Sequence, residues 1–114
     1  MRSEGAATAM NDKIRLIPTD ERMERGNMIR APVYDSARDV YARAYSVGMR
    51  EFYDASNAGL NLAAKFDVWA HEYKGELIVK WQDREYDVAR AYKNGDKIEL
   101  GCTLRSERNN NGID

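Results

Sequence analysis

His71 and Glu72 stand side by side, and acid–base or metal chemistry would look there first. A metal centre needs three or more converging ligands, and His71 is the chain's single histidine. It therefore reads as a surface residue at a strand end. Cys102 is the single cysteine, which excludes an intrachain disulfide and a cysteine-rich zinc framework. Its alternation with Leu100 and Leu104 makes it a small buried hydrophobe. No glycine-rich phosphate loop and no Ser/His/Asp nucleophile set is present in the sequence. The reading is of a protein that is not an enzyme, takes no cofactor or metal, and works through assembly.

A second constellation is basic and aromatic. Arg84, Arg90 and Arg105 with Trp81 and Tyr92 are the residue types with which small barrels hold single-stranded nucleic acid. Glu85, Asp87 and Glu99 interleave with them, so the set reads as solvated surface charge or intersubunit pairing. The whole chain carries 18 basic and 19 acidic groups, a net charge of −1, which argues against a dedicated nucleic-acid binder. A small β-barrel that binds nucleic acid is kept as the alternative function. No apolar run approaches the ~18 residues that span a bilayer, so no membrane partner is expected. The first ten residues contain Glu4 and lack an apolar core, which makes a poor signal peptide and points to the cytoplasm.

The elements that would position these residues are mostly strands. With 114 residues the chain is long enough for one domain and one core. Residues 1–12 read as a disordered extension, 13–105 as the folded domain, and 106–114 as a flexible polar tail. Lys13–Ile17 alternates and stops at Pro18, a first strand. Thr19–Asp39 reads as a long, weakly structured polar connection with a turn signal at Gly26-Asn27. Val40–Tyr45 is the second strand, with Val40, Ala42 and Ala44 on one face. From Met49 to Ala58 the spacing turns helical, with Phe52 as a core plug and Gly59 as the stop.

Leu60–Trp69 follows as a third strand that sends Leu62, Ala64, Phe66 and Val68 to one side. Leu77–Trp81 and Glu85–Tyr92 are the fourth and fifth, joined by a tight connection at Gln82-Asp83-Arg84. Lys93-Asn94-Gly95-Asp96 predicts a hairpin with a type I′ turn at Asn-Gly. The sixth strand, Lys97–Leu104, should place Ile98, Leu100, Cys102 and Leu104 inward. The fold class is mainly β: a small antiparallel barrel or sandwich of about six strands, with one short helix between strands 2 and 3.

The order of local patterns resembles one family. A first strand leads through a polar connection to Val40-Tyr-Ala-Arg-Ala44, then to Glu51-Phe-Tyr-Asp-Ala55 and an extended Lys65-Phe-Asp-Val-Trp69. Ile78-Val-Lys-Trp-Gln-Asp-Arg-Glu-Tyr-Asp-Val88 and a hairpin into Leu100-Gly-Cys102 complete it. From Lys13 to Arg105 this is similar to the tailed-bacteriophage head–tail joining proteins, also called head-completion, stopper or adaptor proteins. Relatives often carry Trp where Tyr41 stands, and a basic residue followed by Tyr at Val68-Trp69.

The resemblance implies a structural virion protein of the neck, assembled in the host cytoplasm. It would form a ring under the portal or head–tail adaptor, complete the head, help retain packaged double-stranded DNA and offer a docking surface to tail terminator or tail proteins. The free chain is expected to be monomeric and to close into a homo-oligomeric ring on its template. Within this reading, Arg50, Glu51, Tyr53 and Asp54 are candidates for the channel or for an intersubunit loop. Acidic groups facing DNA would repel phosphate and let the polymer slide. Met23, Met28, Ile29 and Tyr34, apolar or aromatic within a charged stretch, are candidates for partner docking.

Overall fold

Period-two burial builds the body of the molecule. The computed structural model describes residues 10–45, 47, 59 and 61–105. Its strands are β1 (Asp12–Ile17), β2 (Thr19–Glu24), β3 (Asn27–Pro32), β4 (Arg38–Tyr45), β5 (Leu62–Trp69), β6 (Ile78–Trp81), β7 (Arg84–Asn94) and β8 (Lys97–Leu104). Short 3-10 turns at Tyr34–Ser36 and Ala70–Glu72 complete the elements. Six strands close into an antiparallel barrel in the order β1-β4-β5-β8-β7-β6, while β2 and β3 form a separate two-stranded sheet. Of the two architectures the sequence allows, the chain takes the barrel.

β5 shows why the barrel forms. Leu62, Ala64, Phe66 and Val68 all point inward and are buried, while Ala63 is exposed and Lys65, Asp67 and Trp69 stay half-buried. Phe66 fills the centre and meets Trp81 and Tyr86 edge-on, with ring centroids 5.5 and 5.9 Å away. Edge-to-face contacts of this kind add about 0.5–1.5 kcal/mol each beyond the area they bury. Ile14, Leu16, Val40, Ala42, Val79, Leu100 and Cys102 complete the packing around it. Ile17 and Ile78 face each other in the β1–β6 register and are buried outside that central cluster.

Charge pairs lace the outer wall. Asp39 on β4 receives Arg15 at 2.9 Å and Lys13 at 3.7 Å from β1, and the Arg15 hydrogen bond holds the Asp39 carboxyl below the usual range. On the next strands Lys65 pairs with Glu99 at 3.0 Å and the Tyr45 hydroxyl donates to Asp67 at 2.9 Å. The connection from β5 to β6 is tied down by Glu76, the only buried charged residue among those described. Its carboxylate accepts from the Arg38 guanidinium and from the Lys74 amide at 2.9 Å. Arg38 also donates to the Glu72 carbonyl at 2.8 Å, and the Tyr73 hydroxyl to the Glu76 carbonyl at 2.6 Å.

Three expectations are corrected. The Thr19–Asp39 connection is no loose loop: β2 and β3 pair along six positions, from Thr19↔Pro32 to Glu24↔Asn27, with Arg25 and Gly26 both at positive φ in the turn. Neither face of this hairpin is buried, so it lacks the alternation that marks a strand in sequence. Leu104, expected inward, is 48% exposed, because the β7–β8 ladder ends there and no other described strand covers it. The last hairpin is offset by one residue from the Asn-Gly expectation. Asn94 pairs with Lys97, so the turn residues are Gly95 and Asp96, and only Gly95 has positive φ, the pattern of a type II′ turn. Turns with two positive φ values occur instead at Arg25-Gly26 and, without a glycine, at Gln82-Asp83. The helix expected over Met49–Ala58 lies outside the described residues.

Candidate functional site

The hairpin brings two of the four docking candidates together. Met23 and Met28 are directly opposite each other, one step from the turn, and are 62% and 60% exposed. Alternation puts them on one face with Glu21 and Arg30, an exposed ion pair at 3.8 Å. Ile29 pairs with Arg22 on the other face and is half-buried. Tyr34 belongs to a different place. Its hydroxyl donates to the Glu85 carboxylate at 3.0 Å, which anchors the start of the β3–β4 connection to the start of β7. Burial and this carboxylate both push the Tyr34 phenol up. Glu85 in turn receives Arg105 at 3.4 Å, and Arg105 reaches Asp87 at 3.1 Å. The channel candidates Arg50, Glu51, Tyr53 and Asp54 lie outside the described residues.

The hairpin joins the barrel where β1 ends. Its closing hydrogen bond runs from the Val33 amide to the Pro18 carbonyl at 2.9 Å. A cleft of about 290 Å³ opens beside that foot, between Thr19 and Arg30 of the hairpin and Ile78, Asp87 and Arg105 of the barrel. The hairpin thus stands on one corner of a rigid body, with its methionine pair at the far end.

The basic–aromatic set does not converge. Trp81 packs against Phe66, and Arg105 is spent on Glu85 and Asp87. Arg90 and Tyr92 remain exposed on β7, opposite Gly101 and Glu99 of β8. Sequence reasoning missed what surrounds them. A bulge at Ala89 interrupts the β7–β8 register, and β6 pairs only with Arg84–Asp87. The Val88 amide still reaches the Leu77 carbonyl at 2.9 Å. Beyond it, the outer edge of Ala89–Asn94 has no strand partner among the described residues. The signal available was length: a strand read to Tyr92 outruns a partner that ends at Trp81.

His71 sits in the exposed 3-10 turn after β5, and no group of three or more His, Cys, Asp or Glu side chains among the described residues could hold a metal ion. Cys102 is fully buried, and burial, with help from the Asp87 carboxylate, pushes its thiol up to about 12. A thiol so placed is protonated at neutral pH and a poor nucleophile. No helix among the described residues is long and apolar enough to cross a membrane. No protein-family model matches the chain, and no curated protein matches it.

Proposed function

We propose that this chain is a structural virion protein of the tailed-phage neck. As a ring under the portal or adaptor it completes the head, helps retain packaged double-stranded DNA and receives the tail. The observation that carries the reading is the pairing of a closed six-stranded barrel with a hairpin that stands off it and exposes Met23 and Met28. A ring subunit needs a stiff body to set its spacing and an adaptable apolar contact to meet a different ring above or below. Methionine suits the second task because its unbranched, polarisable side chain packs against varied surfaces. Weak contacts repeated around a closed ring then add up to a stable joint.

Electron microscopy of particles made without this gene tests the reading. DNA-filled or leaking heads beside separate, complete tails are the expected result, and leakage would assign DNA retention as well. Normal infectious particles would overturn it. Tyr92 between Arg90 and Lys93, cations with no ion-pair partner among the described residues, favours the alternative of a nucleic-acid-binding barrel. That alternative predicts binding of DNA by the purified protein with steep salt dependence.

A further inference from the structure

Two of the strand edges that have no strand partner among the described residues stand out. One is the outer edge of β7 from Ala89 to Asn94, past the reach of β6; the other is the outer edge of β2, whose partner β3 covers one side only. Both are six residues long and they lie in separate sheets of the chain. Their charges are opposite. Ala89–Asn94 carries Arg90 and Lys93 and no acid, a net +2, whereas β2 carries Asp20, Glu21 and Glu24 against Arg22, a net −2. Arg90, Lys93, Asp20 and Glu24 have no ion-pair partner among the described residues. The Arg90 side chain runs over Gly101 of β8, where a Cβ would meet its Cγ at 3.6 Å and its Nε at 3.8 Å.

We propose that β2 of one copy adds antiparallel to the β7 edge of the next, with Glu24 opposite Arg90, Met23 opposite Ala91, Arg22 opposite Tyr92 and Glu21 opposite Lys93. This register puts an acid against each β7 cation and a guanidinium over the exposed tyrosine ring, pairs that stabilise neighbouring strands. The rival edges fit worse. β3 carries Arg30 and ends in Pro32, which has no N–H to donate. Two β7 edges would bring a net +2 against +2, and two β2 edges a net −2 against −2. The contact is therefore head to tail, and a head-to-tail contact can close a ring. The proposal rests on the ring reading above and names the two surfaces that ring would use.

The test is a cysteine pair, Met23→Cys with Ala91→Cys, in the purified full chain under mild oxidation. Residues directly opposite in an antiparallel pair lie within disulfide reach, about 4.5–5.5 Å between Cα atoms. Both positions are exposed and buried Cys102 stays out of the reaction. The expected result is a non-reducing ladder of dimers, trimers and higher species. Dimers alone, or a ladder no stronger than from Met23→Cys with Tyr41→Cys on β4, would overturn the proposal.

In the paired background, Arg90→Glu should weaken the ladder a few-fold, as expected for an exposed ion pair, and Glu24→Arg should restore it. Failure to restore overturns the register. Salt-dependent DNA binding through Arg90 with no ladder would assign this edge to nucleic acid instead. The joining role is judged separately. No ladder alongside heads and tails that fail to join in the gene-deleted phage removes this contact and leaves that role standing. A ladder alongside normal deleted particles does the reverse.

Discussion

The barrel and the β2–β3 hairpin use the same antiparallel pairing, yet they meet water differently. β5 in the barrel buries every second side chain from Leu62 to Val68, whereas no residue of β2 or β3 is fully buried. An isolated two-stranded hairpin is marginally stable at best in water. The barrel thus holds its shape by hydrophobic burial, while the hairpin is held by its backbone pairing, its turn and the exposed Glu21–Arg30 pair. Under the proposed function, stability and interaction fall to different parts of one small chain.

The largest test of that division is Phe66→Ala. Removing the ring that touches Trp81 and Tyr86 should cost about 3–5 kcal/mol, read as a lower urea midpoint. Next comes Glu76→Gln, which leaves the Arg38 guanidinium without its carboxylate and should cost about 1–3 kcal/mol. Burial alone would raise the Glu76 carboxyl, but hydrogen bonds from Arg38 and Lys74 outweigh it and leave the group below its ordinary value. A lowered carboxyl contributes stability above its unfolded value near pH 4.3 and loses it as pH falls through the folded one. The gap between wild type and Glu76→Gln should therefore be full at pH 7 and narrow under acid, measured by denaturant melts at each pH.

Two glycines with the same backbone strain separate the regions directly. Gly95 and Gly26 sit at φ +68° and +81°, where an added Cβ costs roughly 1–2 kcal/mol. Gly95→Ala should take about that amount from global unfolding, because its turn joins β7 to β8 of the barrel. Gly26→Ala should leave the global midpoint nearly unmoved and instead speed amide exchange in β2 and β3, since a locally opening hairpin is uncoupled from the core. Equal losses from both would break the comparison. Smallest of all, Met23→Ser with Met28→Ser should change stability by under about 0.5 kcal/mol, as surface substitutions do. The same pair should still impair addition of tails to heads in a complementation assay.

What could be read in advance follows the same line. The inward set of β5, and Leu100 and Cys102 of β8, were legible because one face is dry and the other wet. β2 was not, because Thr19-Asp-Glu-Arg-Met-Glu24 is wet on both faces and leaves no period to detect. The same cause hid the β7 edge past Val88, where every residue to Asn94 is exposed. Met23 and Met28 stood out as apolar residues among charges, but their apposition needed the register fixed by the Arg25-Gly26 turn. The bond from Tyr34 to Glu85 was not legible, because the two lie 51 residues apart and no local pattern connects them.

The barrel's closure has a kinetic consequence. β1 and β6 are joined through only three register positions, Arg15↔Lys80, Leu16↔Val79 and Ile17↔Ile78, and β6 itself is four residues long. The cylinder is thus a curled sheet fastened by one short clasp. As the shortest seam of the barrel it is where sub-global opening is expected first, and the amides that join β1 to β6 should exchange ahead of those in the long β5–β8 seam. A barrel that unclasps at one seam while the rest stays folded would change its diameter without passing through an unfolded state.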